Sequence, residues 1–387
     1  MVVWLCNLEP ANQPPRILVL VIKFLRTAST RRLLAGALGV VLAGIVATAV
    51  AMAAVGGGAV PPAASLASAL HVAAEGKSLD GISANVTFTN NLFSGSSVET
   101  VDPLLTGASG RLWASGGDLR LELQSDNGDA QLVVNGRSFW ISDPASQTVY
   151  EGTLPARRSV LGAGANPTAP MPTHATPTVA QIQHRLDRLS GHADVSTATP
   201  TDIGGEPAYD VELTPKDNSS LIGAVRVGFD ADHGIPLDLA VFPAGGSAPA
   251  LELATSNVSY GPVAASVFDI SPPAGSRVVH VATPAPEATS STGAGGGDVK
   301  AVGKGLGSVI VVKQPVISGG SGVVVGTGSG HTGPLPVRNI SIDGASGQEL
   351  PTSLGTVLQF TRDGVSYLLA GSVTPSTIAS VAASLPR

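Results

Sequence analysis

The sequence predicts a mainly β, α+β protein: a curved antiparallel sheet with one apolar face and a few helices against it. Three observations predict this. Leu119, Leu121 and Leu123 alternate strictly with Arg120, Glu122 and Gln124, the period of two that buries one face of a strand and wets the other. Turn-forming pairs punctuate the chain at short intervals: Gly116-Gly117, Asn127-Gly128, Asn135-Gly136, Asp143-Pro144 and Asp363-Gly364. Two segments, by contrast, place apolar residues at helical spacing between helix-starting and helix-ending residues.

Composition narrows the function classes. Charged residues are 13% of 387, about half the usual share, while hydrophobic residues reach 43%. The chain therefore has enough apolar matter for a core, and its 47 Gly and 29 Pro imply frequent turns. The net charge is −6, although Arg16, Lys23, Arg26, Arg31 and Arg32 all precede residue 33. The rest is more acidic still, which argues against nucleic-acid binding, where phosphates must be neutralised. Cys6 is the single cysteine, so the body after it can form neither a disulfide nor a thiolate metal site.

In chain order, residues 1–32 are expected to be a cytoplasmic N-terminus. Its second apolar patch (Ile17 to Ile22) and its Glu9 are unusual ahead of an export signal and point to a translation start near Val21. Residues 33–55 carry no charge and are long enough to span a bilayer. That length favours an uncleaved transmembrane anchor, and basic residues on its N-terminal side only predict that end inside and the body outside; a cleaved signal peptide is the competing reading. No Cys follows it, so lipoprotein-type acylation is excluded.

A spacer (56–64) leads to a helix expected over Ser65 to Glu75, stopped by Gly76. Residues 82–155 read as a β-meander. The Pro/Gly/Ala-rich stretch 156–177 reads as a loop. A second helix is expected over Thr178 to Ser190, with a Thr178/Gln181 capping box and an apolar stripe of Val179, Ile182, Leu186 and Leu189. Strands follow at 208–214, 223–230, 236–243 and 250–260. Residues 283–297 have linker composition. A smaller β-plus-helix unit (298–387) holds strands at 308–313, 322–325, 337–343, 355–362 and 365–372. Its closing helix starts at Thr374-Pro375 and presents Ile378, Val381 and Leu385.

No motif brings reactive groups together. The Gly-rich runs at 303–308 and 326–333 lack the phosphate-loop pattern, and there is no G-x-S-x-G elbow or S-x-x-K. The seven histidines are scattered without metal-ligand spacing. Asp126, Asp129, Asp143 and Asp232 are explained as turn residues, and the sequons at Asn85, Asn218, Asn257 and Asn339 bear only on a glycosylating host. No catalytic residue, metal or cofactor is expected. The apolar face is the candidate site: Leu119, Leu121, Leu123, Leu132, Val134, Phe139 and Ile141 on the strands, with Ile182 and Leu186 on the second helix. The helices either fill this face as plain core or act as a movable lid over an apolar cavity.

The segments "ISANVTFTNNLF", "GASGRLWASGGDLRLELQSDNGDAQLVVNGRSFWISDPASQTVYEGTLP", the capped helix and "GEPAYDVELTPKD" together resemble the actinobacterial relatives of the LolA lipoprotein carriers. These share an architecture with the sigma-factor regulator RseB and with mycobacterial glycolipid-binding lipoproteins. The resemblance spans about 62–282 and implies an open half-barrel with helices on its concave face, holding a lipid or the acyl chain of a lipoprotein. The RseB side of it implies an envelope protein partner instead. This chain departs from the carriers in its expected anchor and in its extra C-terminal unit, which favours sensing or local handling over long-range shuttling.

Overall fold

The structure, a computed structural model, describes residues 59–76, 79–93, 107–125, 128–144, 147–154, 176–281, 298–315 and 336–385. The expected anchor (33–55), nearly all of the 156–177 loop, the 283–297 linker, the 322–325 strand and the 326–333 Gly run lie outside the described residues. Among the described residues, no helix is long and apolar enough to cross a membrane.

Helix α1 (Leu66–Glu75) starts where the Ser65 side chain accepts the Ser68 N–H, and Gly76 caps its end. The meander then runs as β1 (Ile82–Asn90), β2 (Ala108–Ser115), β3 (Asp118–Ser125), β4 (Gly128–Asn135), β5 (Ser138–Asp143) and β6 (Thr148–Thr153). Helix α2 (Val179–Leu189) carries the expected capping box in full, with Thr178 and Gln181 each satisfying the other's backbone. Only Ile182 of its stripe is fully buried, and Val179, its first residue, is 38% exposed. Short strands β7 (Ala193–Val195) and β8 (Thr199–Ile203) precede the long hairpins of β9 (Glu206–Pro215), β10 (Ile222–Asp230), β11 (Pro236–Pro243) and β12 (Leu251–Tyr260).

These strands join one sheet because β1 pairs with β2 on one side and with β12 on the other. The path is completed by β13 (Arg277–Val281), which the alternation pattern did not indicate and which lies parallel to β6. The spatial order is β13-β6-β5-β4-β3-β2-β1-β12-β11-β10-β9-β7, with β8 also on β9. Its two ends do not meet, so the sheet is an open half-barrel.

Neither Asn-Gly pair centres its turn as expected. Gly128 is already the first residue of β4 and pairs with Ser125. Asn135 pairs with Ser138, so the central residues of the β4–β5 turn are Gly136 and Arg137 rather than Asn135 and Gly136. Of the two, only Gly136 has positive φ (60°), the pattern of a type II′ turn rather than I′. The reason lies in register. Centring the turn on Asn135-Gly136 would set Arg137 opposite Val134 on the apolar face, whereas the observed register sets Phe139 there. Arg137 instead donates to the Leu154 carbonyl through Nε and Nη2.

The C-terminal unit is a second sheet of six strands: β14 (Asp298–Val302), β15 (Val309–Pro315), β16 (Arg338–Ile342), β17 (Ala345–Thr352), β18 (Gly355–Arg362) and β19 (Val365–Gly371). Asp363 and Gly364 both take positive φ in the expected hairpin. Helix α3 (Pro375–Ala383) has Pro375 in its first turn and buries Ile378 and Ala382 against β18 and β19. This unit touches the half-barrel at two turns, where Leu221 N donates to Ser372 O (2.8 Å) and Ser353 N to Leu92 O (2.8 Å). The Gly-rich run at 303–308 forms a short 3-10 turn lying against Asp217 and Ser219.

Candidate binding face

Residues directly opposite one another on paired strands share a face, so the register traces the apolar side of the half-barrel. One row runs Leu112–Leu121–Leu132–Ile141–Tyr150 across β2 to β6. The next runs Ala114–Leu119–Val134–Phe139. Toward the other end of the sheet, on the same face, a row passes Ala108–Phe88–Leu253–Leu239–Val227–Val211, from β2 to β9. Ala84, Val86 and Phe88 of β1 connect the two halves, since Ala84 stands opposite Leu112. The face is continuous.

Its side chains fall into two clusters. Leu119, Leu121, Leu123, Leu132 and Val134 are buried together with Val86, Phe88, Leu112 and Leu253, and Phe139 and Ile141 pack against them half-buried. All seven strand residues expected on the apolar face are therefore brought together. Ile182 and Leu186 are not part of this group. They belong with Leu70, Tyr209, Val211 and Phe229 in the cluster that α1 and α2 form over β9 and β10. His71 Nδ1, 3.0 Å from the Pro177 carbonyl, fixes the start of α2 against α1. The Tyr209 hydroxyl donates to the Pro62 carbonyl at 2.7 Å and ties the approach to α1 into the same layer.

The outer face of the meander is crossed by the chain between β12 and β13. Arg120 Nη1 donates to Val267 O (3.1 Å), Asn135 Nδ2 to Phe268 O (3.5 Å) and Trp140 Nε1 to Ile270 O (3.3 Å). Val133, Trp140 and Val149 are buried beneath this strap, with Ile270 against them.

On the outer face of β9–β12 the structure assembles charged groups that alternation alone marks as a wet face. Arg226 and Glu252 flank Ala240, one on each neighbouring strand, and Arg226 Nη2 bonds Glu252 Oε1 at 3.0 Å over that small side chain. Asp210 and Asp238 flank Gly228 in the same way, and Arg226 Nε lies 3.8 Å from Asp238 Oδ1. Asp238 is 3% and Glu252 8% exposed. Burial pushes the Asp238 carboxyl up to about 8, against the pull of Arg226 and with a further push from Asp210 and Glu252. Burial also raises Asp210. Near neutral pH the site thus holds a proton on Asp238, which lessens the cost of burying three carboxylates beside one guanidinium.

A neighbouring group organises the β10–β11 turn, and its carboxylate is Asp230 rather than Asp232. Asp230 Oδ1 accepts the Asp232 and His233 N–H groups, and Oδ2 accepts from Tyr260 at 2.7 Å. Burial, followed by the bond to Asp230, pushes the Tyr260 phenol upward. Among the described residues, no group of three or more His, Cys, Asp or Glu is placed to hold a metal ion.

No protein-family profile and no curated protein sequence matches the chain. Solved structures similar to it include the MucA/MucB complex of Pseudomonas aeruginosa, at 16% identity and TM-score 0.40, covering 82% of this chain and 96% of the other. A putative outer membrane lipoprotein-sorting protein domain from Vibrio parahaemolyticus is similar at 12% identity and TM-score 0.22, over 53% of this chain and 96% of the other. A LolA superfamily protein from Nitrosomonas europaea is similar at 11% identity and TM-score 0.18, over 82% and 97%. Likenesses this distant carry no argument about what this chain binds.

Proposed function

We propose that the chain is a non-catalytic binding protein, anchored in the cell membrane by 33–55 with its body outside the cytoplasm, and that its half-barrel takes up the apolar chain of a lipid or lipidated protein. One observation carries this reading: the apolar face is continuous, yet α1 and α2 pack over its β9–β10 side, and the seven meander residues form a separate cluster. A wide greasy face not filled by the helices of its own layer is the arrangement an acyl chain needs. Leu121 is 2% and Leu132 7% exposed in the chain by itself. Uptake therefore requires these residues to be uncovered first, not the filling of an open trough.

The same burial favours a second reading, in which the face is structural core and the protein is an envelope regulator that binds a polypeptide. Mass spectrometry of organic extracts from purified 62–387 separates the two. Lipid at one equivalent per chain is the expected result; lipid-free protein that does not take up added phospholipid would end the lipid reading.

A further inference from the structure

The joint between α1 and α2 turns on one imidazole. His71, on α1, has its Nδ1 3.0 Å from the carbonyl oxygen of Pro177, the residue before the α2 cap. Its Nε2 lies 3.4 Å from a carboxylate oxygen of Glu75, one turn along the same helix, and its side chain is 27% exposed. Both ring nitrogens therefore face oxygens that accept hydrogen bonds, a backbone carbonyl and a carboxylate. An imidazolium donates to both. A neutral imidazole has one N–H, so either tautomer sets a bare lone pair against one of the two oxygens.

Little else among the described residues fastens this end of α2. Val179, Ala180 and Gln181 are exposed, and Ile182 is the one fully buried residue of the helix. The far end is tied down: β7 follows it and pairs with β9, and Lys216 donates from Nζ to Ser190 O (2.7 Å) and from its backbone N to His192 O (2.9 Å). Beneath α2 lie Tyr209, Val211 and Phe229, the helix-covered part of the apolar face. The ionisable groups on the elements around His71 are Glu75 on α1, His184, Arg185, Asp187 and Arg188 on α2, and Tyr209 on β9. Asp230, Asp232 and His233 belong to the turn against which Gly76 packs. Among the described residues, Glu75 is the one ion-paired with His71.

We infer that His71 is a pH-sensitive latch: with its second proton it clamps the start of α2 to α1, and on losing that proton it lets this end of α2 lift from the sheet. Histidine is the side chain that changes charge between about pH 5 and pH 8. The latch rests on the lipid-binding reading above and adds a regulation to it. The part of the apolar face under α2 is closed in mild acid and accessible in mild base.

Hydrogen exchange in the full chain tests it, read on the amides of Ile182 to Leu186 and corrected for the intrinsic pH dependence of exchange. Opening at these amides is expected to be roughly five-fold more frequent at about pH 8 than at about pH 5.5, as for one hydrogen bond lost. Amides of β9 to β12 in the same samples register the pH dependence that Asp238 gives the whole fold, and the excess at α2 is the signal. Glu75→Gln satisfies a neutral ring, since its amide donates to Nε2 while Nδ1–H donates to Pro177. This variant is expected to stay closed at both pH values, whereas His71→Ala opens at both. An unchanged thermal melt shows that the variants still fold. Wild-type exchange equal at the two pH values overturns the latch, as does a pH response that Glu75→Gln leaves intact. Uptake of added phosphatidylcholine is read separately. Faster uptake at the higher pH in wild type, absent in Glu75→Gln, supports the gating, and equal uptake beside a responsive latch overturns it. A responsive latch on a chain that takes up lipid at neither pH refutes the lipid reading alone.

Discussion

The indole N–H of Trp140 donates to the carbonyl of Ile270 at 3.3 Å, joining the middle of β5 to the strap that leads from β12 to β13. Trp140 is 8% exposed and Ile270 packs on it, so the bond is largely shielded from water. The strap is what brings β13 alongside β6.

Replacing Trp140 by Phe keeps an aromatic ring but strands the Ile270 carbonyl. The expected cost is about 1–2 kcal/mol in urea unfolding. Backbone hydrogen exchange should speed up across 264–281 and stay unchanged in β17–β19. A uniform change across the chain would mean that the strap has no local role.

Leu121 and Val179 provide a matched contrast, since both are apolar and both are expected from sequence to face inward. Leu121 is 2% exposed in the centre of the meander cluster, while Val179 is 38% exposed. Leu121→Ala should cost about 2–5 kcal/mol and Val179→Ala within about 0.5 kcal/mol, read from denaturation midpoints. Comparable losses would contradict the separation of the two positions.

Asp238 should make stability depend on pH in the direction opposite to an ordinary surface carboxylate. Its folded pKa lies near 8 against an unfolded value near 3.8. The native state therefore binds the extra proton between those values. Its contribution is fully present below the unfolded pKa and is lost as pH rises toward 8, with a slope of at most about 1.4 kcal/mol per pH unit. Asp238→Asn should flatten the profile between about pH 5 and pH 8. If wild type and variant ran parallel there, Asp238 would not hold the proton.

Gly228 sits where the two aspartates approach. A methyl group built on it would lie 2.4 Å from Asp238 Cβ and 2.4 Å from Ile203 Cδ1. Gly228→Ala should cost about 1–3 kcal/mol through overpacking and displace β8. Tryptic cleavage at Arg188, just before β7, should accelerate. An unaffected melting temperature would show that Ile203 moves aside freely.

Much of the sheet was legible because its information is local. Strict alternation in β3 placed Leu119, Leu121 and Leu123 correctly, and the same parity carried across each turn to Leu132, Val134, Phe139 and Ile141. Caps were legible for the same reason, Thr178 and Thr374 acting on residues three positions away. Features that depend on distant partners were not legible. In β13 five residues become a strand because the strap delivers them to β6. β17 was missed for a local reason: it contains Gly347 and Pro351, poor strand formers, although it pairs with its sequence neighbours β16 and β18. The alternation of Asp210, Asp238 and Glu252 with apolar residues reads as a solvated face, but small residues at 228 and 240 let the charged side chains close over one another. The stripe on α2 was readable, while the cluster that Ile182 joins depends on which part of the sheet α2 covers.

The long sheet ends in very little free border. Beyond β6 lies β13, five residues long with Arg277 and His280 exposed, and at the other limit β7 has only three residues. Short and charged terminal strands offer a poor template for a neighbouring chain to zip onto. If the proposed anchor holds many copies on one membrane, they would meet edge to edge far more often than in free solution, and such trimmed borders would let them collide and part without fusing into a common sheet.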